Sequence, residues 1–360
     1  MIQYAAILLT AVAIVLFVTP LVRSAATRFG VTDSPNARKV HANPVPLLGG
    51  MAIWAGFVLT LLLFDTAPFV QQFGSIIVGA TVASLVGLWD DRWGMKPAFK
   101  LFGQIVAAGL MVAFGTSVHF LHNDVLNTAA TILWVVGITN ALNLMDNMDG
   151  LAGGVATWAA FFIFLLAMMS GQRLVAPFAL ALAGACIGFL YYNFKPGHIF
   201  MGDTGSLFLG FLLSAVALKL RFPVLYDPIT GVPIDHQAVT WVIPLLVLGL
   251  PIFDTTLVSI SRLRRGLPIT RGGRDHTSHR LVALGATRRE AVLILYLVCC
   301  LLGVAAITVM NIGVTEAQVL AGLVGVLATV AFWRLEQVPL IDTNPKVVEP
   351  QGRPQFGPRR

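Results

Sequence analysis

The sequence predicts an all-α protein that spans a membrane about eleven times, with its N-terminus outside and its C-terminus inside. Three observations lead there. Of 360 residues 57% are hydrophobic and only 11% charged, and mean hydropathy is +0.81, a balance that no ordinary soluble domain has. Apolar runs of about 20 residues, enough to cross a bilayer, lie near 4–22, 47–64, 73–89, 99–118, 129–145, 151–169, 174–192, 204–220, 239–258, 290–312 and 315–333. With the N-terminus outside, all of the 24 lysines and arginines except Arg173, Lys219 and Arg221 fall on inward segments, as cytoplasmic loops require.

The first run has neither the basic start nor the cleavage site of a signal peptide, and Arg23 and Arg28 follow it as inner anchors. Polar clusters abut or enter the third, fifth and eighth runs. Residues 1–341 read as one transmembrane domain, and 342–360, rich in proline and glycine, as a disordered basic tail. The net charge of +7 is concentrated on one face, where it attracts anionic head groups and anionic substrates. No aromatic-interleaved soluble module accompanies it, so nucleic acid is not an expected partner. Cys186, Cys299 and Cys300 lie inside spans, without metal-ligand spacing.

Chemistry concentrates at the inner ends of the spans. The loop Gly30 to Gly50 is an ordered turn by its prolines and closing glycine pair; its Lys39 and His41 suit a phosphate, or serve only as inside anchors. Asp90 and Asp91 end the third span side by side and repel unless a proton, a cation or Arg92 relieves them. Lys100 enters the fourth span as a snorkelling anchor or a phosphate ligand. The outer His119, His122 and Asp124 make a weak metal set.

The densest stretch is NALNLMDNMDGLAGG, Asn140 to Gly154, in which Asn140, Asn143, Asp146 and Asp149 recur every third residue. On a helix they would wind as a stripe along one side. Such groups at membrane depth line cavities, although a helix end capped by Asn and Asp explains this stretch equally well. Further on, Phe200 and Asp203 sit in a glycine-rich helix start, and a carboxylate beside free N–H groups suits a metal–phosphate pair. Phe200 stacks on a base or belongs to the interfacial aromatic belt. Asp254 follows Pro251 in the ninth span, and RGGRDHTSHRL brings His276, His279 and Arg280 to the largest inner loop, where the arginines favour an anion over zinc. Hard oxygen ligands beside cations suit Mg²⁺, or Mn²⁺ in its place, and phosphoryl transfer at the lipid–water boundary.

RKVHANPVPLLGG, WDD, NALNLMDNMDGLAGG, FMGDTGS and RDHTSHRL stand in that order on successive inner loops. Together they resemble the polyprenyl-phosphate N-acetylhexosamine-1-phosphate transferases, glycosyltransferase family 4, over nearly the whole chain. The histidine motif is similar to that of the bacterial undecaprenyl-phosphate N-acetylglucosamine-1-phosphate branch and lacks the triple histidine of the phospho-N-acetylmuramoyl-pentapeptide transferases. The chain departs from many relatives at Asn147, where they have glycine, and at Ser278, near which they have a histidine.

The resemblance implies a commonly dimeric bundle around a cytoplasm-facing cleft in the cell membrane. It implies a UDP-sugar donor, most readily UDP-N-acetylglucosamine, and a polyprenyl phosphate acceptor, in the initiating step of a cell-envelope polysaccharide. Asp90 or Asp91 would be the base, and Asp203 with Asn143 or Asp146 would hold Mg²⁺. Lys39, His41, Lys100, His276, His279 and Arg280 would meet phosphate, with Asn140, Asp146, Asp149 and Phe200 also on the substrates. The displacement is direct or passes through an aspartyl phosphate. A secondary transporter would instead place its ionisable groups near the midplane and show repeats, and a scaffold would not gather costly groups on one side.

Overall fold

The computed structural model describes residues 2–33, 44–64, 66–118, 121–194, 196–221, 241–270 and 272–339. Lys39, His41 and the 342–360 tail lie outside the described residues, so the expectations for them are left as they stood. The helices in order are α1 (Ile2–Arg28), α2 (Gly49–Leu63), α3 (Thr66–Trp93), α4 (Pro97–Ala113), α5 (Asp124–Met145), α6 (Leu151–Met169), α7 (Val175–Asn193) and α8 (Gly202–Ala217), then α9 (Val242–Val247), α10 (Gly249–Arg264), α11 (Thr277–Ala283), α12 (Arg288–Asn311) and α13 (Val314–Glu336). Seven of them are long and apolar enough to cross a membrane, and α2, α4 and α8 are shorter apolar helices. The chain is a multi-pass membrane protein, and each expected span carries helix.

Two departures have local causes. The ninth span is not continuous: α9 ends at Leu248, whose N–H bonds back to the Pro244 carbonyl at 3.0 Å. Pro251 then falls in the first turn of α10, the one part of a helix where its missing N–H costs nothing. The Asn140–Asp149 stripe is helical only in its first half, because α5 stops at Met145 and Asp146 leaves it at φ −77°, ψ 59°. Asp146 and Asp149 therefore project from a turn rather than from a helix face.

Helix α8 is the centre of the bundle. Every residue from Thr204 to Ala217 is buried, with α3, α5, α2 and α6 packed around it. Small residues permit the closest approaches. At Gly87 of α3 a Cβ would run into the backbone of Asp203 and Thr204, and at Gly50 of α2 into that of Gly205. By contrast α13 buries only Ala317 and lies at the periphery.

The loop between α1 and α2 is ordered at its described ends, as its prolines suggest. Thr32–Asp33 (β1) pairs antiparallel with Val45–Pro46 (β2). Leu48 follows at φ +77°, a left-handed conformation that strains a branched side chain. The strain is held by neighbours: Gly49 and Gly50 donate N–H bonds of 2.9 Å to the Phe200 and Met201 carbonyls, and Phe200 N–H donates to Pro46 at 2.9 Å. The loop before α2 and the segment before α8 are thereby joined through their backbones.

Candidate active site

Three helix ends meet beside the start of α8, and a lysine sits between them. Lys100 Nζ lies 3.2 Å from Asp90 Oδ2 at the end of α3 and 3.2 Å from Asn143 Oδ1 at the end of α5, and it pairs with Asp203 in the first turn of α8. A cation in the first turn of α4 is disfavoured by the helix dipole; the two carboxylates offset that. Asn143 Nδ2 donates to Asp203 Oδ1 at 2.7 Å and to Ser206 Oγ at 2.8 Å, so one amide fixes the carboxylate from the far side.

Asp91 does something different from its neighbour. Its carboxylate accepts the N–H of Asp203 at 2.8 Å, the N–H of Thr204 at 2.9 Å and the Thr204 hydroxyl at 2.6 Å. No side chain at Met201 caps α8, so a carboxylate from another helix satisfies the first free N–H groups and complements the helix dipole. Ser84 adds a bond to the Thr204 carbonyl at 3.1 Å.

The other expected residues arrange themselves around this centre. Asn140 lies one turn deeper in α5 and exchanges hydrogen bonds with Gln104 of α4, at 2.5 and 3.3 Å. Asp149 accepts the Gly197 N–H at 3.1 Å. The Gly150 turn, at φ +79°, is held by Asn193 Oδ1 on its N–H at 2.9 Å and by the Tyr296 hydroxyl on its carbonyl at 2.5 Å. Phe200 is half-buried and fixed by its backbone bonds to the first loop. Burial first, and then the Asp203, Asp91 and Asp149 carboxylates, push the Asp146 carboxyl up to about 7.

The histidine loop forms a second group. His276 Nδ1 and Asp254 Oδ2 share a 2.8 Å hydrogen bond, and Asp254 Oδ1 accepts the Thr277 N–H at 2.6 Å. Arg262 forks onto both Asp275 oxygens at 2.9 and 2.8 Å, with Arg265 on the same carboxylate at 2.9 Å. Although burial raises the Asp275 carboxyl, Arg262 holds it below the usual carboxylate range. Ser278 Oγ donates to Asn147 Oδ1 at 2.6 Å. The two departures noted in the sequence thus touch each other and tie the α5–α6 turn to the start of α11.

One expectation for that loop is corrected. Arg280 was assigned to substrate phosphate, but it is completely buried and its guanidinium bonds to the Asp275 carbonyl, the Leu335 carbonyl and the Ser261 hydroxyl at 2.9, 2.7 and 2.9 Å. It braces the loop from below. His279, expected to meet phosphate, is pushed down to about 4 by burial, then by His276 and Arg274. Its Nδ1 is buried without a hydrogen-bond partner.

Sequence reasoning missed Asn193, Tyr296, Ser206 and the cap role of Asp91. Asn193 carried a signal, a lone amide ending an otherwise apolar helix; Tyr296, alone in the middle of α12, carried none.

Apolar helices that hold carboxylates, amides and a lysine at one set of ends define an integral membrane protein with an acid-rich polar site. Residues 73–221 match the family described as glycosyl transferase family 4. The chain is similar to the probable undecaprenyl-phosphate N-acetylglucosaminyl 1-phosphate transferase of Bacillus subtilis, 36% identical over 302 residues that cover 81% of each chain. It is also similar to the decaprenyl-phosphate N-acetylglucosaminephosphotransferase of Mycolicibacterium smegmatis, 33% identical over 315 residues, 80% of this chain and 78% of that one. Similarity to a phospho-N-acetylmuramoyl-pentapeptide-transferase of Moorella thermoacetica is shorter, 32% over 221 residues, 56% of this chain and 69% of that one. The chain belongs to glycosyl transferase family 4 and is an enzyme.

Proposed function

We propose that the protein transfers N-acetylglucosamine-1-phosphate from UDP-N-acetylglucosamine to a polyprenyl phosphate at the cytoplasmic face of the membrane. This would begin the assembly of a cell-envelope polysaccharide. The observation that carries the chemistry is the Lys100 ammonium gathered with Asp90, Asp203 and Asn143 from separate helices. The substrate assignment rests on the two N-acetylglucosamine phosphotransferases to which the chain is similar over four-fifths of its length.

In this reading Asp90 is the base and Asp91 is not, because the Asp91 carboxylate is spent on the start of α8. Asp90 keeps the lipid phosphate deprotonated, and one phosphate oxygen attacks the β-phosphorus of the donor. One P–O bond forms, the anhydride bond to the α-phosphate breaks, and UMP leaves with the electron pair. Lys100 and His276 face phosphate oxygens, and Asp149 and Phe200 face the uridine.

A divalent cation fits this donor set. The oxygens are hard, and the carboxylates facing Asp146 leave a local shortage of positive charge. Mg²⁺ takes one or two carboxylates and completes its shell with waters and phosphate, so it needs no cage of three acidic, histidine or cysteine side chains, and none is found among the described residues. Asp203 and Asn143, with Asp146, would hold it; bound there, it would offset charge on the donor pyrophosphate.

The direct test is UMP release by purified protein given polyprenyl phosphate and a panel of UDP-sugars, with Mg²⁺ present or chelated. Turnover is expected with UDP-N-acetylglucosamine and Mg²⁺ only. UMP release with another sugar alone would reassign the donor, and undiminished release in chelator would remove the metal.

Two smaller effects follow from the geometry. Ser278→Ala should raise KM for the donor about fivefold, the equivalent of one hydrogen bond of about 1 kcal/mol, and Asn147→Ala should add nothing to it. A double-mutant cycle with additive effects would show that the bond does not act in binding. The second concerns pH: Asp146 holds its proton to about 7 in the folded protein, against about 4 for an unfolded aspartate. The folded state binds the extra proton between those values, so stability without metal should fall as pH rises from about 4 to about 7. Thermal midpoints across that range should show the fall, and Asp146→Asn should flatten it.

A further inference from the structure

The three basic residues that escaped the inward set, Arg173, Lys219 and Arg221, line a single cavity. It lies at the far ends of the helices that build the candidate active site. Ser75 is near the start of α3, whose end carries Asp90, and Thr116 follows α4, whose first turn carries Lys100. Lys219 follows α8, whose first turn carries Asp203, and that length of helix spans about 24 Å. The cavity is therefore separate from the acid-rich cluster and opens on the opposite face.

Its construction suits an anion. The volume is about 820 Å³, the size of a small-molecule site. None of its described lining residues is acidic. Gln172 holds the Arg221 backbone from both sides, donating to its carbonyl at 2.8 Å and accepting its N–H at 3.1 Å, which places Arg221 without using its guanidinium. The Ser75 and Thr116 hydroxyls lie 3.2 Å apart in the wall. Arg173, Lys219 and Arg221 bring three cations to one lining, and an anion held among them would offset their mutual repulsion. Val78 and Phe114, both lining residues, are largely exposed and offer the apolar border that an amphiphile needs.

We propose that this cavity binds a phosphate group, carried by an anionic phospholipid headgroup of the leaflet opposite the active site or by free phosphate. The binding does not depend on the transfer reaction. The test uses the full chain in phosphatidylcholine nanodiscs, in discs that also contain phosphatidylglycerol, and in phosphatidylcholine discs titrated with orthophosphate. The readout is the thermal midpoint, supported by native mass spectrometry of retained lipid.

Wild type is expected to be stabilised saturably in at least one anionic arm. A response to phosphatidylglycerol alone assigns the headgroup, and a response to orthophosphate alone assigns the free ion. Each removed cation should weaken the affinity about fivefold, so Arg173→Gln/Lys219→Gln/Arg221→Gln together should weaken it about a hundredfold, while Arg173→Lys/Arg221→Lys retains it. Should the triple variant not fold, Lys219→Gln alone carries the test with its fivefold loss. Equal response of wild type and the neutralised variant, or no response of wild type in either arm, overturns the site.

Discussion

Asp203→Asn is expected to lower UMP release by about a hundredfold or more while leaving the thermal midpoint nearly unchanged. The carboxylate is the point where Lys100, Asn143 and the proposed metal come together, and preorganised groups of this kind contribute about 10²- to 10³-fold to rate. An amide in its place keeps the volume but removes the charge that offsets Lys100. The backbone of residue 203 still donates its N–H to Asp91, so α8 keeps its cap. Turnover within threefold of wild type would take Asp203 out of the reacting centre; a collapsed midpoint would make its role structural.

The second large effect separates two adjacent carboxylates. Asp90→Asn should reduce turnover by about a hundredfold, the low end of what a positioned base contributes, with little change in stability. Asp91→Ala should instead lower stability by about 2–3 kcal/mol, because buried N–H groups at a helix start lose a charged acceptor, and activity should fall as α8 frays. Measuring turnover and unfolding midpoint on the same preparations distinguishes them. A stable, inactive Asp91→Asn beside an active Asp90→Asn would exchange the two roles.

Much of this was legible in the sequence. Runs of apolar residues located the helices because the bilayer demands that length and composition. The residues later found together, Asp90, Lys100, Asn143 and Asp203, were singled out because each is expensive where it stands. Division of labour was not legible. Nothing in the dipeptide Asp90–Asp91 tells which carboxylate turns toward a lysine and which toward a helix start; that depends on Gly87 letting α8 approach α3. The spacing of three from Asn140 to Asp149 suggested a continuous stripe, yet the helix ends at Met145, since tertiary bonds at Gly150 from Asn193 and Tyr296 outweigh the local pattern. Arg280 looked like an anion ligand because it stands in an arginine-rich loop; two of its three partners, Leu335 and Ser261, lie in segments the motif does not reach.

The enclosure of α8 on all sides has an evolutionary reading. A carboxylate mounted on a helix with no slack, as Asp203 is on α8, cannot be moved by small sequence drift, so its position is fixed while the periphery is free to vary. Laboratory selection for a new sugar should therefore collect its changes at Asn147 and in 276–279, and leave 203–206 untouched.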